Sequence, residues 1–177
     1  MDAHVEYVKK SVRSRLWTIR NLKNSGFTSE ELVRVFITII RPVFEYAVVV
    51  YHSSITDEQD EDLENLQNKA LKMIFGPGTS AREMRRQAGI ETLRARREHL
   101  CDKFAEKCAA MPAFGHWFVK KTSRTSARFK AETYVETKAR CERLKNSPLH
   151  YFRRRLNGKP GRTYGSRYSE YREDPPV

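Results

Sequence analysis

Cations and aromatic rings crowd one stretch of this chain. Arg94, Arg96, Arg97, Lys103 and Lys107 line the polar faces of one long helical pattern; Trp117 and Phe118 follow, then Lys120, Lys121, Arg124 and Arg128. Lysines and arginines neutralise phosphates, and exposed rings stack on bases or sugars, so the mixture suits nucleic acid. Upstream, the turn GPGTS (Gly76 to Ser80) opens a short helical segment carrying Arg82, Arg85 and Arg86. A helix N-terminus beside guanidinium groups can hold a phosphate. Plainer readings stand beside both: an interhelix turn, a solvated basic face, and Trp117 and Phe118 plugging a core.

Other chemistries find less support. Cys101, Cys108 and His116 are spaced by seven and eight residues, whereas zinc ligands pair a few residues apart, so the cysteines are expected to pack beside an apolar stripe. His99 and His150 have no nucleophile at a recognisable spacing. The acidic run DEQDED, Asp57 to Asp62, starts a helix, where consecutive carboxylates are expected to fan outward into solvent. No phosphate-loop motif is present, and no metal or cofactor is called for. The chain alone is not read as an enzyme.

Charge sharpens the picture. Residues 1–78 hold 10 Lys+Arg and 11 Asp+Glu, a net of −1, and residues 79–177 hold 24 and 11, a net of +13. A basic half of that size favours a polyanionic partner. Three scattered cysteines and no apolar leader in MDAHVEYVKK point to an intracellular setting, nucleus or cytoplasm. The richest apolar stretch, Phe36 to Tyr51, carries Arg41 and Glu45, so no membrane span is expected.

The elements that must position these residues are helical. Val5, Val8, Val12, Leu16, Ile19 and Leu22 form one stripe, with Lys9, Lys10, Arg13, Arg15 and Arg20 on the remaining surface. Thr28 with Glu31 and Thr56 with Gln59 are capping boxes, and Ser80 with Glu83 caps a third start. Gly26 and Gly89 suit helix ends, and Gly76-Pro77-Gly78 is a break. Pro42 lacks an amide hydrogen, so the helix is expected to stop or kink at Arg41 and restart at Pro42, with Val43, Phe44, Ala47, Val48 and Tyr51 on its apolar face. Glu45 is read as a surface or capping residue, Arg41 and Glu45 are spaced to pair, and Tyr46 is expected to bury its ring. A long helix, about Glu91 to Met111, carries Leu93, Leu100, Phe104 and Cys108 inward and is closed by Pro112.

These patterns predict an all-α protein: a bundle of five or six helices over 1–118, a basic segment over 119–157 with short helices at 131–144 and 147–157, and a disordered tail over 158–177.

Several strings, in order, carry a resemblance. RPVFEYAVVVYH (Arg41 to His52) resembles the "RP-hydrophobe-x-E-Y" helix downstream of the polymerase core in non-LTR (LINE-like, jockey-type) retrotransposon reverse transcriptases. LWTIRNLKNSGFTSEELVRVFITII is similar to the preceding helix pair, and LENLQNKALKMIFG to the family's "LExxQxxALRxIxG" helix. REMRRQAGIETLRARREHLCDKFAEKC is similar to its "GIxxLxxRR" segment, and RLKNSPLHYFRRRLN, more loosely, to its late "S-x-x-P" element. The resemblance spans Val5 to Asn157. It implies a thumb and post-thumb region that helps hold a template–primer duplex, an RNA–DNA hybrid or duplex as partner, and a palm and fingers polypeptide as a second one. The palm's paired metal-binding aspartates are absent, and Asp60 and Asp62 do not replace them. On this reading the chain is a C-terminal piece of a larger open reading frame and does not polymerise by itself.

Overall fold

The computed structural model describes residues 2–120, 134–136, 138 and 140–159. The architecture is all-α, as the periodicity predicts. Among the described residues the only β feature is an isolated bridge between Lys120 and Tyr134. No described helix is long and apolar enough to cross a membrane. The chain divides into two compact units, Met1–Lys103 and Phe104–Val177, and the division falls inside a helix.

The first unit holds the main core. Helix α1 (Asp2–Asn24) lays Val5, Val8, Val12, Leu16 and Ile19 against α5 (Asp57–Phe75), whose Leu63, Leu66, Ala70, Leu71 and Ile74 are buried with them. Each of these valines, leucines and isoleucines contributes about 1.5–3 kcal/mol on burial. The α1–α5 pair is also tied at both ends. Lys9 Nζ meets Asp62 at 2.7 Å, and Lys23 Nζ donates to the carbonyls of Met73 (2.7 Å) and Ile74 (3.0 Å). Those carbonyls belong to the last turn of α5, where no intrahelical donor reaches, so Lys23 serves as a C-terminal cap.

The three N-terminal capping signals form as read. Thr28 caps α2 (Ser29–Val35) with Glu31 reaching back, Thr56 caps α5 with Gln59, and the Ser80 hydroxyl accepts from Glu83 N–H at the start of α6 (Ala81–Ala88). Gly89 ends α6 at φ 61°, a left-handed conformation that an L side chain strains to adopt.

The Arg41-Pro42 region departs from expectation. The helix does not stop there. It widens into a π-helical segment, Phe36–Ile40, in which Arg41 N–H donates to Phe36 O, and continues as α3 (Arg41–Glu45) with Pro42 in its first turn. A wide turn accommodates a residue whose ring crowds the preceding carbonyls and which has no hydrogen to donate. The break comes later, at Tyr46 and Ala47, so that Val48–Tyr51 forms a separate short helix α4. Ala47 is left-handed, at φ 56° and ψ 22°.

Tyr46, expected inside, is 68% exposed; Tyr51 is the buried ring, its hydroxyl donating to the Phe44 carbonyl across the break. Burial pushes its phenol up to about 12. An apolar ring with one polar atom can be buried only where that atom finds a partner, and the turn supplies it.

Helix α7 (Leu93–Ala110) begins in the first unit and ends in the second. The second unit adds a 3₁₀ turn (Pro112–Trp117), α8 (Glu142–Lys145) and α9 (Pro148–Leu156). Of the helix expected over 131–144, residues 131–133, 137 and 139 lie outside the described ones; among the described residues Tyr134 sits in the bridge and 142–144, in α8, are helical. The α9 side chains and the Asn157 amide organise this unit. Asn157 accepts from Tyr134 N–H (2.7 Å) and donates to Tyr134 O (3.1 Å) and Glu136 (2.8 Å). Arg153 Nε donates to Trp117 O at 2.8 Å. Phe104, whose position was read as inward-facing, is 39% exposed, its ring 5.6 Å from that of Phe152. Both border an apolar cavity of about 260 Å³.

Candidate nucleic-acid interface

The arginines singled out by spacing are mostly engaged within the first unit. Arg97, expected on a polar face, is 1% exposed, and its Nη2 donates to Asp60, itself only 6% exposed. This corrects two readings at once, because Asp60 belongs to the acidic run expected to fan into solvent. Asp60 also lies 3.8 Å from Arg94, which is shared with Glu98 at 3.8 Å. Arg96 Nε meets Glu45 at 2.8 Å, and Glu45 also takes Arg41 at 2.9 Å. Glu45 is therefore the hub between α3 and α7 and not a free surface group. The pairing of Arg41 with Glu45 is as the spacing predicts.

Desolvation explains why these arginines turn inward. A half-buried carboxylate needs a partner that keeps several donors in one plane, and guanidinium supplies it. Glu45 in turn raises the Arg96 pKa by hydrogen bonding.

The set at the GPGTS turn behaves similarly. Arg85 bonds Asn68 Oδ1 at 3.2 Å and lies 3.7 Å from Glu64, both on α5. Arg86 is exposed but bidentate to Glu83 at 2.8 and 2.7 Å, and that contact holds the Glu83 carboxyl down to about 2. Arg82 is exposed and also interacts. Of the guanidinium groups that would cradle a phosphate above this turn, Arg85 is thus turned to α5 and Arg86 to its own helix. Glu64 is half-buried, and the desolvation raises its pKa against the pull of Arg85; its Oε2 accepts from Leu93 N–H at 2.9 Å and so caps α7.

Lys103 and Lys107 are exposed, with no ion pair among the described residues. In the second unit Trp117 is 41% exposed, with its ring 5.0 Å from Phe114 and 5.5 Å from His116, whereas Phe118 is buried. The two adjacent aromatics thus split between surface and core. Lys120 is exposed in the bridge to Tyr134. Lys121, Arg124 and Arg128 lie outside the described residues. Cys101 and Cys108 are buried thiols, Cys101 with its sulfur 3.9 Å from Val48 O.

One exposed set escaped the reading of spacing. On α1, Tyr7 is 62% exposed and Trp17 is 66% exposed, and Lys10, Arg13 and Arg20 are exposed around them. None of the three cations forms an ion pair among the described residues. Tyr7, Lys10, Arg13, Trp17 and Arg20 recur every three or four residues away from the valine stripe, but spacing alone places the cations on the surface and gives the two rings no role. No family model, curated protein or solved structure matches the chain.

Proposed function

We propose that this chain is a nucleic-acid-binding helical module, resembling the thumb region of non-LTR retrotransposon reverse transcriptases, that grips a polynucleotide backbone inside the cell without a catalytic aspartate pair of its own. A palm and fingers polypeptide is the companion this reading calls for. One observation carries it. An internal ion pair removes one charge of each sign, so 34 Lys+Arg against 22 Asp+Glu leaves 12 cations in excess however completely the acids are paired. That excess calls for a polyanion, and releasing condensed counterions on binding drives the association.

The test is a salt titration of binding to RNA–DNA hybrid, duplex DNA, duplex RNA and single strands. Affinity is expected to fall steeply and linearly in log–log form, with a slope near −0.9 per phosphate contacted on a duplex. Absence of retention on any polynucleotide at low salt overturns the reading.

A second reading, a helical scaffold with no nucleic-acid role, gains support from one observation. Acids of the first 78 residues pair with arginines of the remainder: Asp60 with Arg97, Glu45 with Arg96, Glu64 with Arg85. Part of the charge asymmetry therefore serves folding. Salt-sensitive oligomers by size exclusion, with no polynucleotide retained, would favour this reading.

A further inference from the structure

Helix α1 divides its six cations by use. Lys9 joins Glu6 and Asp62, Arg15 donates to the Ser11 carbonyl at 3.0 Å, and Lys23 caps α5. Lys10, Arg13 and Arg20 do none of this. They point away from the core with Tyr7 and Trp17 between and beside them. The one acid described on this face, Glu6, is held by Lys9 at 2.6 Å. Tyr7 and Trp17 are ten residues apart, roughly 15 Å along the helix axis.

An exposed tryptophan and tyrosine cost solvation without contributing to the core, and singly they need no explanation. Two of them on one face, with three cations that have no ion pair among the described residues, form a more specific arrangement: flat apolar surfaces for bases and positive charges for the phosphates that join them. Duplexed bases are stacked and hidden, whereas those of a single strand can lie against a ring. The face also lacks the leucines and isoleucines with which a helix enters a lipid interface. We propose that the outer face of α1 binds single-stranded nucleic acid, with Trp17 and Tyr7 stacking bases and Lys10, Arg13 and Arg20 contacting the backbone. This deepens the proposed function by assigning it a strand type and a surface, and it rests on that reading.

The experiment uses the full chain with Trp117→Phe, which leaves Trp17 as the sole tryptophan of two. A labelled oligothymidylate is titrated in, with anisotropy reporting binding and tryptophan emission reporting stacking. Quenching of Trp17 is expected to track binding. In otherwise native chain, Trp17→Ala is expected to weaken single-strand affinity by about 5- to 150-fold while leaving the thermal melt unchanged, since the ring is exposed. Lys10→Gln with Arg13→Gln and Arg20→Gln is expected to flatten the salt slope.

Binding without quenching, or full affinity in Trp17→Ala, overturns the α1 assignment and leaves polynucleotide binding standing elsewhere. No binding of any polynucleotide at low salt overturns both. Quenching by anionic phospholipid vesicles but not by oligonucleotide assigns the face to membranes instead and overturns the proposal.

Discussion

Asp60 and Arg97 show what single residues decide here. A carboxylate and a guanidinium removed from water each lose solvation, and their mutual attraction offsets that loss only while both are present. Asp60→Ala is therefore expected to destabilise the protein by about 3–5 kcal/mol, read from the urea midpoint, because it strands a buried cation. Replacing both, Asp60→Leu with Arg97→Met, is expected to recover most of that loss, since a packed apolar pair needs no solvation. Glu64 offers a test by pH. Burial raises its folded pKa above the ordinary 4.5. Stability from its protonated form is present in full below the unfolded value and is lost as pH rises through the raised folded one. Glu64→Gln keeps an acceptor for Leu93 N–H and cannot ionise. Its melting temperature relative to wild type is expected to climb between pH 4 and pH 8; a constant difference would show that burial does not set its titration.

Among elements, the α3–α4 junction is the most constrained. Ala47 holds a left-handed conformation that costs an L residue roughly 1–2 kcal/mol, and glycine adopts it freely. Ala47→Gly is expected to stabilise the fold by about 1 kcal/mol, and Ala47→Val to destabilise it by more, both measured by thermal melts. The junction matters because it fixes Glu45 at the end of α3, where Arg41 and Arg96 meet it, and lets Tyr51 reach the Phe44 carbonyl. The π-helical segment before it is the same kind of solution. Pro42 could be read as a disturbance from its chemistry, but whether a helix stops, kinks or widens depends on what the neighbouring side chains bury. Here Phe36, Ile40 and Phe44 all reach the core, which the widened turn permits.

For the whole molecule, the division of its cations is what the proposed function depends on. Arginines facing α3 and α5 hold the fold, and on that proposal the outward-facing cations are the ones that would meet a polynucleotide. Arg96→Gln is accordingly expected to lower stability by about 1–3 kcal/mol, the worth of a charged hydrogen bond, while polynucleotide affinity in the folded state changes less than twofold. A large loss of affinity would return Arg96 to the binding surface.

The all-α class, the three N-terminal caps, the glycine ends and the apolar stripes of α1 and α5 were fixed by residues within a few positions of one another, because hydrogen bonding and side-chain period act locally. The Arg41–Glu45 pair, four residues apart, was readable for the same reason. Which cations stay in water was not. Asp60 meets Arg97 across 37 residues, and Glu45 meets Arg96 across 51. Sequence patterning marks an arginine as polar but does not say whether a distant carboxylate will claim it. Only the packing of α7 beside α3 and α5 settles that, because it alone removes those charges from water and forces each to find its counterpart.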